Sequence, residues 1–208
     1  MMEGSLFIVT ALLIGRLGGV EAAAHQIAIN VASLCFMIPF GLAEATTVRV
    51  GHALGRGDRD GLRRAAFAGY GLMFATQAVS GVLLLLGNHP LAGLYTADAA
   101  VASLAATLLL YAAAFQFPDG VQVLSAGALR GLGDTRRPML LAALAYWGVG
   151  MPLGAGLGLG LGWGPQGMWM GLIVGLTTAA VLLSTRFLRS SKRTPMDVGI
   201  VPAMTDGA

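Results

Sequence analysis

Asp119 stands in the string FQFPDGVQV, inside the run Ala99 to Leu124, which carries no other formal charge. Moving an acidic side chain to the centre of a membrane-spanning helix costs on the order of 3 kcal/mol, so such a group normally faces a cavity or a partner. Asp119 is therefore the first candidate for binding an ion or a proton. Pro118 has no N–H and leaves the carbonyl of Ala114 without its helical donor, so Pro118, Asp119 and Gly120 together predict a locally broken helix. A carbonyl released beside a carboxylate can bind a cation, and transporters build such sites from interrupted helices. The competing reading is a plain kink whose carboxylate pairs with another polar group.

Glu3 has two readings from its residues alone. It is an interfacial acid at a helix start, where negative charge is favoured, or a second intramembrane acid if its helix extends before Met1. His25, Gln26 and Asn30 open the second apolar run, with Gln26 and Asn30 four apart on one helical face. They either line a polar entrance or make ordinary helix-end hydrogen bonds. Asp98 in YTADAA is placed to cap the following helix. Glu44 lies five residues before Arg49, and a pairing at the helix end is expected; a spacing of five is not an ideal helical pair, so the alternative is that Arg49 meets another helix or the headgroups.

His25, His52 and His89 have no metal-like spacing with Cys or carboxylates, so no site of the zinc type is expected. Gly131, Leu132, Gly133 and Asp134 spell the GxGD pattern that resembles intramembrane aspartyl proteases. Aspartyl proteolysis needs two carboxylates sharing a proton. Here Arg130, Arg136 and Arg137 surround the acid and predict an interfacial turn instead. With no Ser-His-Asp or Cys-His arrangement in view, an enzyme is not expected.

Elements of one kind must position these residues. Hydrophobic residues make up 56% and charged residues 11% of the chain, and the mean hydropathy is +0.74. That is an integral membrane composition. The apolar runs are continuous and about twice the length of a barrel strand, so helices are the economical choice. The expected spans are Ser5 to Gly18 (partial), Ile27 to Val48, Ala65 to Gly87, Ala99 to Leu124, Pro138 to Leu161 and Gly167 to Leu188. The first is too short for a full crossing. The fold class is thus an all-α membrane protein, a six-helix transmembrane bundle with its first helix truncated. Residues 1–189 form the lobe, and 190–208, with two prolines and no clear period, form a flexible tail.

Of thirteen Lys and Arg, all but Arg16 fall in alternate connectors and the tail, and the positive-inside rule makes that side cytoplasmic. This distribution, rather than one exposed basic face, argues against a nucleic-acid partner despite a net charge of +3. The basic connectors VGHALGRGDRDGLRRA and SAGALRGLGDTRRPM share Ala-Leu, Gly, Arg and a Gly-Asp pair, which marks a common turn requirement. Glycines recur every four residues at 150, 154, 158 and 162 and at 167, 171 and 175. These small-xxx-small faces predict that the last two spans pack closely together.

The strings AAHQIAINVASLCFMIPFGLAEATTVRVGHALGRGD, FQFPDGVQVLSAGALRGLGDTRRPM and GPQGMWMGLIVGLTTAAVLL together resemble the second half of a MATE (multidrug and toxic compound extrusion) transporter, over nearly the whole chain to about Leu188. Family members have twelve helices in two lobes, so the resemblance implies helices seven to twelve. It identifies Glu3 with the seventh-helix glutamate and Asp119 with the tenth-helix aspartate, acids implicated in binding the coupling ion and cationic substrate. It matches Gln26 and Asp98 to positions facing the cavity, and puts Phe36 and Phe115 where relatives often carry tyrosine. The implied function is secondary active antiport in the cell inner membrane, exporting cationic drugs or toxic organic compounds in exchange for H+ or Na+, with no other cofactor. The implied partners are the lipid bilayer, small cationic organic substrates and the missing N-terminal six-helix lobe, so the polypeptide is expected to be a fragment, such as a truncated gene model. Rival readings are a lipid-linked oligosaccharide flippase, an intramembrane aspartyl protease and a noncatalytic scaffold built on the glycine faces.

Overall fold

In the computed structural model, which describes the backbone of residues 2–193 and the side chains of residues 4–192, the chain folds into six helices with no strand among the described residues. They are α1 (Met2–Gly15), α2 (Gly19–Gly55), α3 (Arg59–Tyr95), α4 (Ala99–Gly131), α5 (Arg136–Gly160) and α6 (Gly164–Arg193). The last five are long and apolar enough to cross a membrane, and α1 is a shorter apolar helix. Large apolar side chains such as Leu34, Leu86 and Leu144 are more than half exposed. In water such a surface would drive aggregation; in a bilayer it is ordinary. Residues 194–208, and with them most of the expected tail, lie outside the described residues.

The helices run well past the apolar runs. Both α2 and α3 have 37 residues, about 55 Å at the usual rise, whereas the hydrocarbon core is about 30 Å thick. Segments expected to be connectors are therefore helical: GVEAAAHQ opens α2, and NHPLAGLY closes α3 with Pro90 inside the helix. The connectors that remain are three or four residues long. Ala-rich sequence continues a helix readily once a span has nucleated it.

The shared turn chemistry of the two basic connectors is explicit. At the end of α2, Asp58 N donates to Ala53 C=O at 2.9 Å and Gly57 N to Leu54 C=O at 3.0 Å; at the end of α4, Asp134 N donates to Leu129 C=O at 3.0 Å and Gly133 N to Arg130 C=O at 2.9 Å. Gly57 and Gly133 have φ of 68° and 77°. Both are left-handed helix stops that favour glycine, and the Asp that follows does local work in each. Asp58 caps α3 by accepting from Gly61 N at 2.7 Å. Asp134 accepts from Arg186 Nε on α6 at 2.6 Å, so the GLGD segment is a turn tied to the last helix.

The central helix is α4, packed against α2, α3 and α6, while α5 leans on α6. At the basic end α2 and α4 meet almost backbone to backbone. A Cβ on Gly127 would come 2.6 Å from Ala43 O and one on Gly131 2.7 Å from Thr47 O, and Thr47 Oγ1 donates to Gly127 C=O at 2.9 Å. The same contact corrects the expected partner of Glu44. Glu44 pairs with Arg130 of α4 at 2.7 Å rather than with Arg49, because the close approach brings another helix nearer than the next turn but one of its own. With side chains 48% and 42% exposed, this bridge is expected to contribute only about 0.5 kcal/mol. A double-mutant cycle with Glu44→Gln and Arg130→Gln, read by thermal melting in detergent, should give a coupling no larger than that.

The glycine faces meet as expected. A Cβ on Gly167 would lie 2.6 Å from Gly158 N, one on Gly175 2.9 Å from Gly150 Cα, and one on Gly171 would collide with the backbone of Gly154. Two stretches of α5, Leu144–Gly150 and Gly156–Gly160, are π-wound. An α-helix of 3.6 residues per turn drifts away from a four-residue repeat, and looser π turns cancel that drift. They keep Gly150, Gly154 and Gly158 against α6 along the whole seam.

Candidate functional site

Asp119 is 3% exposed and projects from the middle of α4 onto the wall of a cavity of about 270 Å³. The i, i+4 pair Phe115 and Asp119 brings α4 to this cavity. From α2 come Ile29, Ala32, Ser33 and Phe36, which fall at i, i+3, i+4 and i+7 on one face, and α1 adds Gly4 and Phe7. The Phe7 and Phe115 rings lie 5.9 Å apart at 59°. Ser33 Oγ donates to Ile29 C=O at 2.7 Å, which leaves its lone pairs for the cavity.

This wall combines one carboxylate with three aromatic rings. Ring faces attract cations, and an acid in an apolar chamber gains most from a cationic or protonic occupant. Behind Phe115 the aromatic layer continues inward. Trp169 of α6 meets it edge-on at 5.6 Å, and Trp169 Nε1 donates to Nδ1 of the buried His25 at 3.2 Å. His25 thus sits in the core rather than in a polar entrance, anchoring the N-terminal part of α2 to α6.

The expected helix break at Pro118 is not present. α4 is continuous from Ala99 to Gly131, with Pro118 inside it. One missing N–H is a local loss that neighbouring helices can absorb. Gln77 of α3 braces the same turn, at a carbonyl other than that of Ala114: its Nε2 donates to Gln116 C=O at 2.9 Å. Asp119 therefore sits on an intact helix.

Other candidate residues are placed differently. The side chain of Glu3 lies outside the described residues, although its backbone belongs to α1 one turn before Phe7. Gln26 and Asn30 are exposed on α2 and do not border the cavity; Asn30 Oδ1 accepts from Tyr95 OH at 3.0 Å. Asp98 is also exposed and caps α4, accepting from Ala100 N at 2.8 Å and Val101 N at 3.2 Å. It stands 21 residues from Asp119, about 30 Å along the helix axis, too far to share one small cavity. Two polar features were not anticipated. Ser33 continues the exposed face of Gln26 and Asn30, and its i+3 spacing from Asn30 was the available signal. The buried Gln77 and Gln116, with the half-buried Ser80 beside them, have no such marker, because uncharged polar side chains do not stand out in an apolar run.

Comparison with known proteins follows the same geometry. The family model described as MatE matches residues 1–155. The chain is 73% identical over 193 residues to a probable multidrug resistance protein NorM of Xanthomonas campestris pv. campestris, covering 93% of this chain and 42% of that protein. It is 48% identical to multidrug resistance protein PmpM of Pseudomonas aeruginosa, covering 92% of this chain and 41% of that one. The chain thus spans less than half the length of these relatives. Among solved structures, the eukaryotic MATE transporter AtDTX14 superposes with a TM-score of 0.83 at 22% identity, over 90% of this chain and 43% of its own.

Proposed function

Because the chain belongs to the MATE (multidrug and toxic compound extrusion) family, we propose that it supplies the ion- and drug-binding lobe of an antiporter that exports cationic organic compounds in exchange for H+ or Na+. The observation that carries this reading is the buried Asp119 on the wall of a phenylalanine-rich cavity. An ionised carboxylate favours a cationic guest, and a proton or sodium ion on it removes that attraction, so ion and drug compete. Competition drives transport only through differential affinity for the two access states, which this site provides if each state favours a different occupant.

Glu3 is the second acid of the proposal, supported by its position one turn before the cavity residue Phe7. The exposed Gln26, Asn30 and Asp98 are read as facing a wider chamber completed by a complementary six-helix lobe. The basic connectors, and the tail beyond 189, are assigned to the cytoplasmic side of the cell inner membrane. No reaction chemistry is assigned to the lobe, and its charges are fitted to membrane orientation rather than nucleic acid.

The test is transport by the native gene product in proteoliposomes loaded with the fluorescent cation ethidium. An imposed H+ or Na+ gradient should drive ethidium across the membrane against its own gradient, and adding the ion to both sides should abolish that drive. Ethidium movement indifferent to both gradients would overturn the proposal.

A further inference from the structure

We propose that Gln77 is a positioning residue for Asp119: an amide clamp reaching from α3 to hold the Pro118 turn of α4, so that the carboxylate addresses its cavity. The inference rests on the reading of Asp119 as the cation-binding acid, and it concerns residues outside the cavity wall.

Both amides of the clamp are buried. Gln77 and Gln116 are 1% and 3% exposed. Gln77 Nε2 donates to the backbone carbonyl of Gln116 at 2.9 Å, and Ser80 Oγ donates to Gln116 Oε1 at 2.8 Å. This bond meets α4 within the turn that Pro118 weakens, three residues before Asp119. Two neighbouring faces of α4 thereby have different tasks. Phe115 and Asp119 point to the cavity, while Gln116 and Gly120 point to α3.

Side chains of the two helices interleave closely at this turn. A Cβ on Gly120 would come 2.7 Å from Met73 Sδ and 3.4 Å from Gln77 Nε2, and one on Gly81 would come 3.0 Å from Gln116 Nε2. Because α3 lies flush against α4 here, rotating α4 to swing Asp119 away from the cavity would strip the buried amide of its acceptor. A buried donor without an acceptor is costly, so the clamp favours one orientation of the carboxylate. Interhelical hydrogen bonds in membranes contribute modestly to stability on average, and a bond at this turn has a positional consequence that the same bond elsewhere on α4 would lack.

The experiment is a double-mutant cycle in the native gene product, purified in detergent, with ethidium affinity measured by fluorescence. Gln77→Met keeps the side chain's length without its donor and should weaken ethidium binding about tenfold, and Asp119→Asn should weaken it more. If Gln77 acts through Asp119, adding Gln77→Met to Asp119→Asn should cause no further loss. Should the Met variant fail to accumulate, Gln77→Asn, which retains the amide but falls a methylene short, takes its place in the same cycle. A Gln77 effect that persists at full size in the Asp119→Asn background would overturn the clamp, as would wild-type affinity in the Gln77 variant alone. Wild-type affinity in Asp119→Asn itself would instead sink the reading of the acid, and the clamp with it.

Discussion

Asp119→Asn is expected to abolish ion-driven export of organic cations and to weaken their binding by at least about 100-fold, the scale associated with removing one charge from a desolvated pair. Asparagine has nearly the same shape and keeps hydrogen-bonding capacity, so the packing around Phe115 and Phe7 should survive. What disappears is the charge that, in the proposed mechanism, a cation and a coupling ion would share. The sign of the pH effect follows from the same competition. If proton and cation compete for Asp119 as proposed, cation affinity of the wild type should fall on acidification, whereas the asparagine variant should bind weakly and show a flattened pH profile. Ethidium titrations across a pH series, alongside efflux from cells producing each variant, would measure both effects. Normal efflux by the asparagine variant would remove Asp119 from the mechanism.

An effect of comparable size is expected from a position with no polar chemistry. Gly171 lies where α6 touches α5, and any side chain there must displace the backbone of Gly154. Overpacking by a single methyl group commonly costs about 1–3 kcal/mol when side chains can give way, and here the obstacle is main chain. Gly171→Ala should therefore lower the thermal midpoint by several degrees, and Gly171→Val should leave no folded protein in the membrane fraction. The internal control lies on the opposite face of the same seam. A Cβ on Gly156 would meet nothing within 4 Å, and Gly156→Ala should be neutral or slightly stabilising through better helix propensity. Size-exclusion profiles before and after heating separate these outcomes. Equal damage from Gly156→Ala and Gly171→Ala would show that the glycines serve flexibility and not close approach.

The two positions were legible for different reasons. Asp119 stands out because charge is rare in an apolar run, and rarity is a property of the sequence itself. The glycine seam stands out because a repeat of four survives on a helix face, although the π turns that keep it in phase left no comparable mark. The turns at Gly57 and Gly133 were equally readable, since their hydrogen bonds span no more than five residues. By contrast, the partner of Glu44 is 86 residues away on another helix, and sequence proximity suggested Arg49 even though their spacing of five was not ideal for a helical pair. Pro118 was read as a break because sequence rules describe an isolated helix, while the real one is braced by α2, α3 and α6.

Composition, charge periodicity and small-residue repeats thus determined the membrane class, the number and order of the helices, and which acid to watch, because each depends on residues within a few turns of one another. Tertiary structure decided which faces meet: that Phe7, Phe36 and Phe115 close around Asp119, that Gln77 reaches Gln116, and that Asp98 stays at its cap. The physical reason is that nearly all these helices are apolar on every side. Hydrophobic patterning can therefore choose no inward face, and the choice falls to close packing and a few buried hydrogen bonds whose partners lie far apart in the chain.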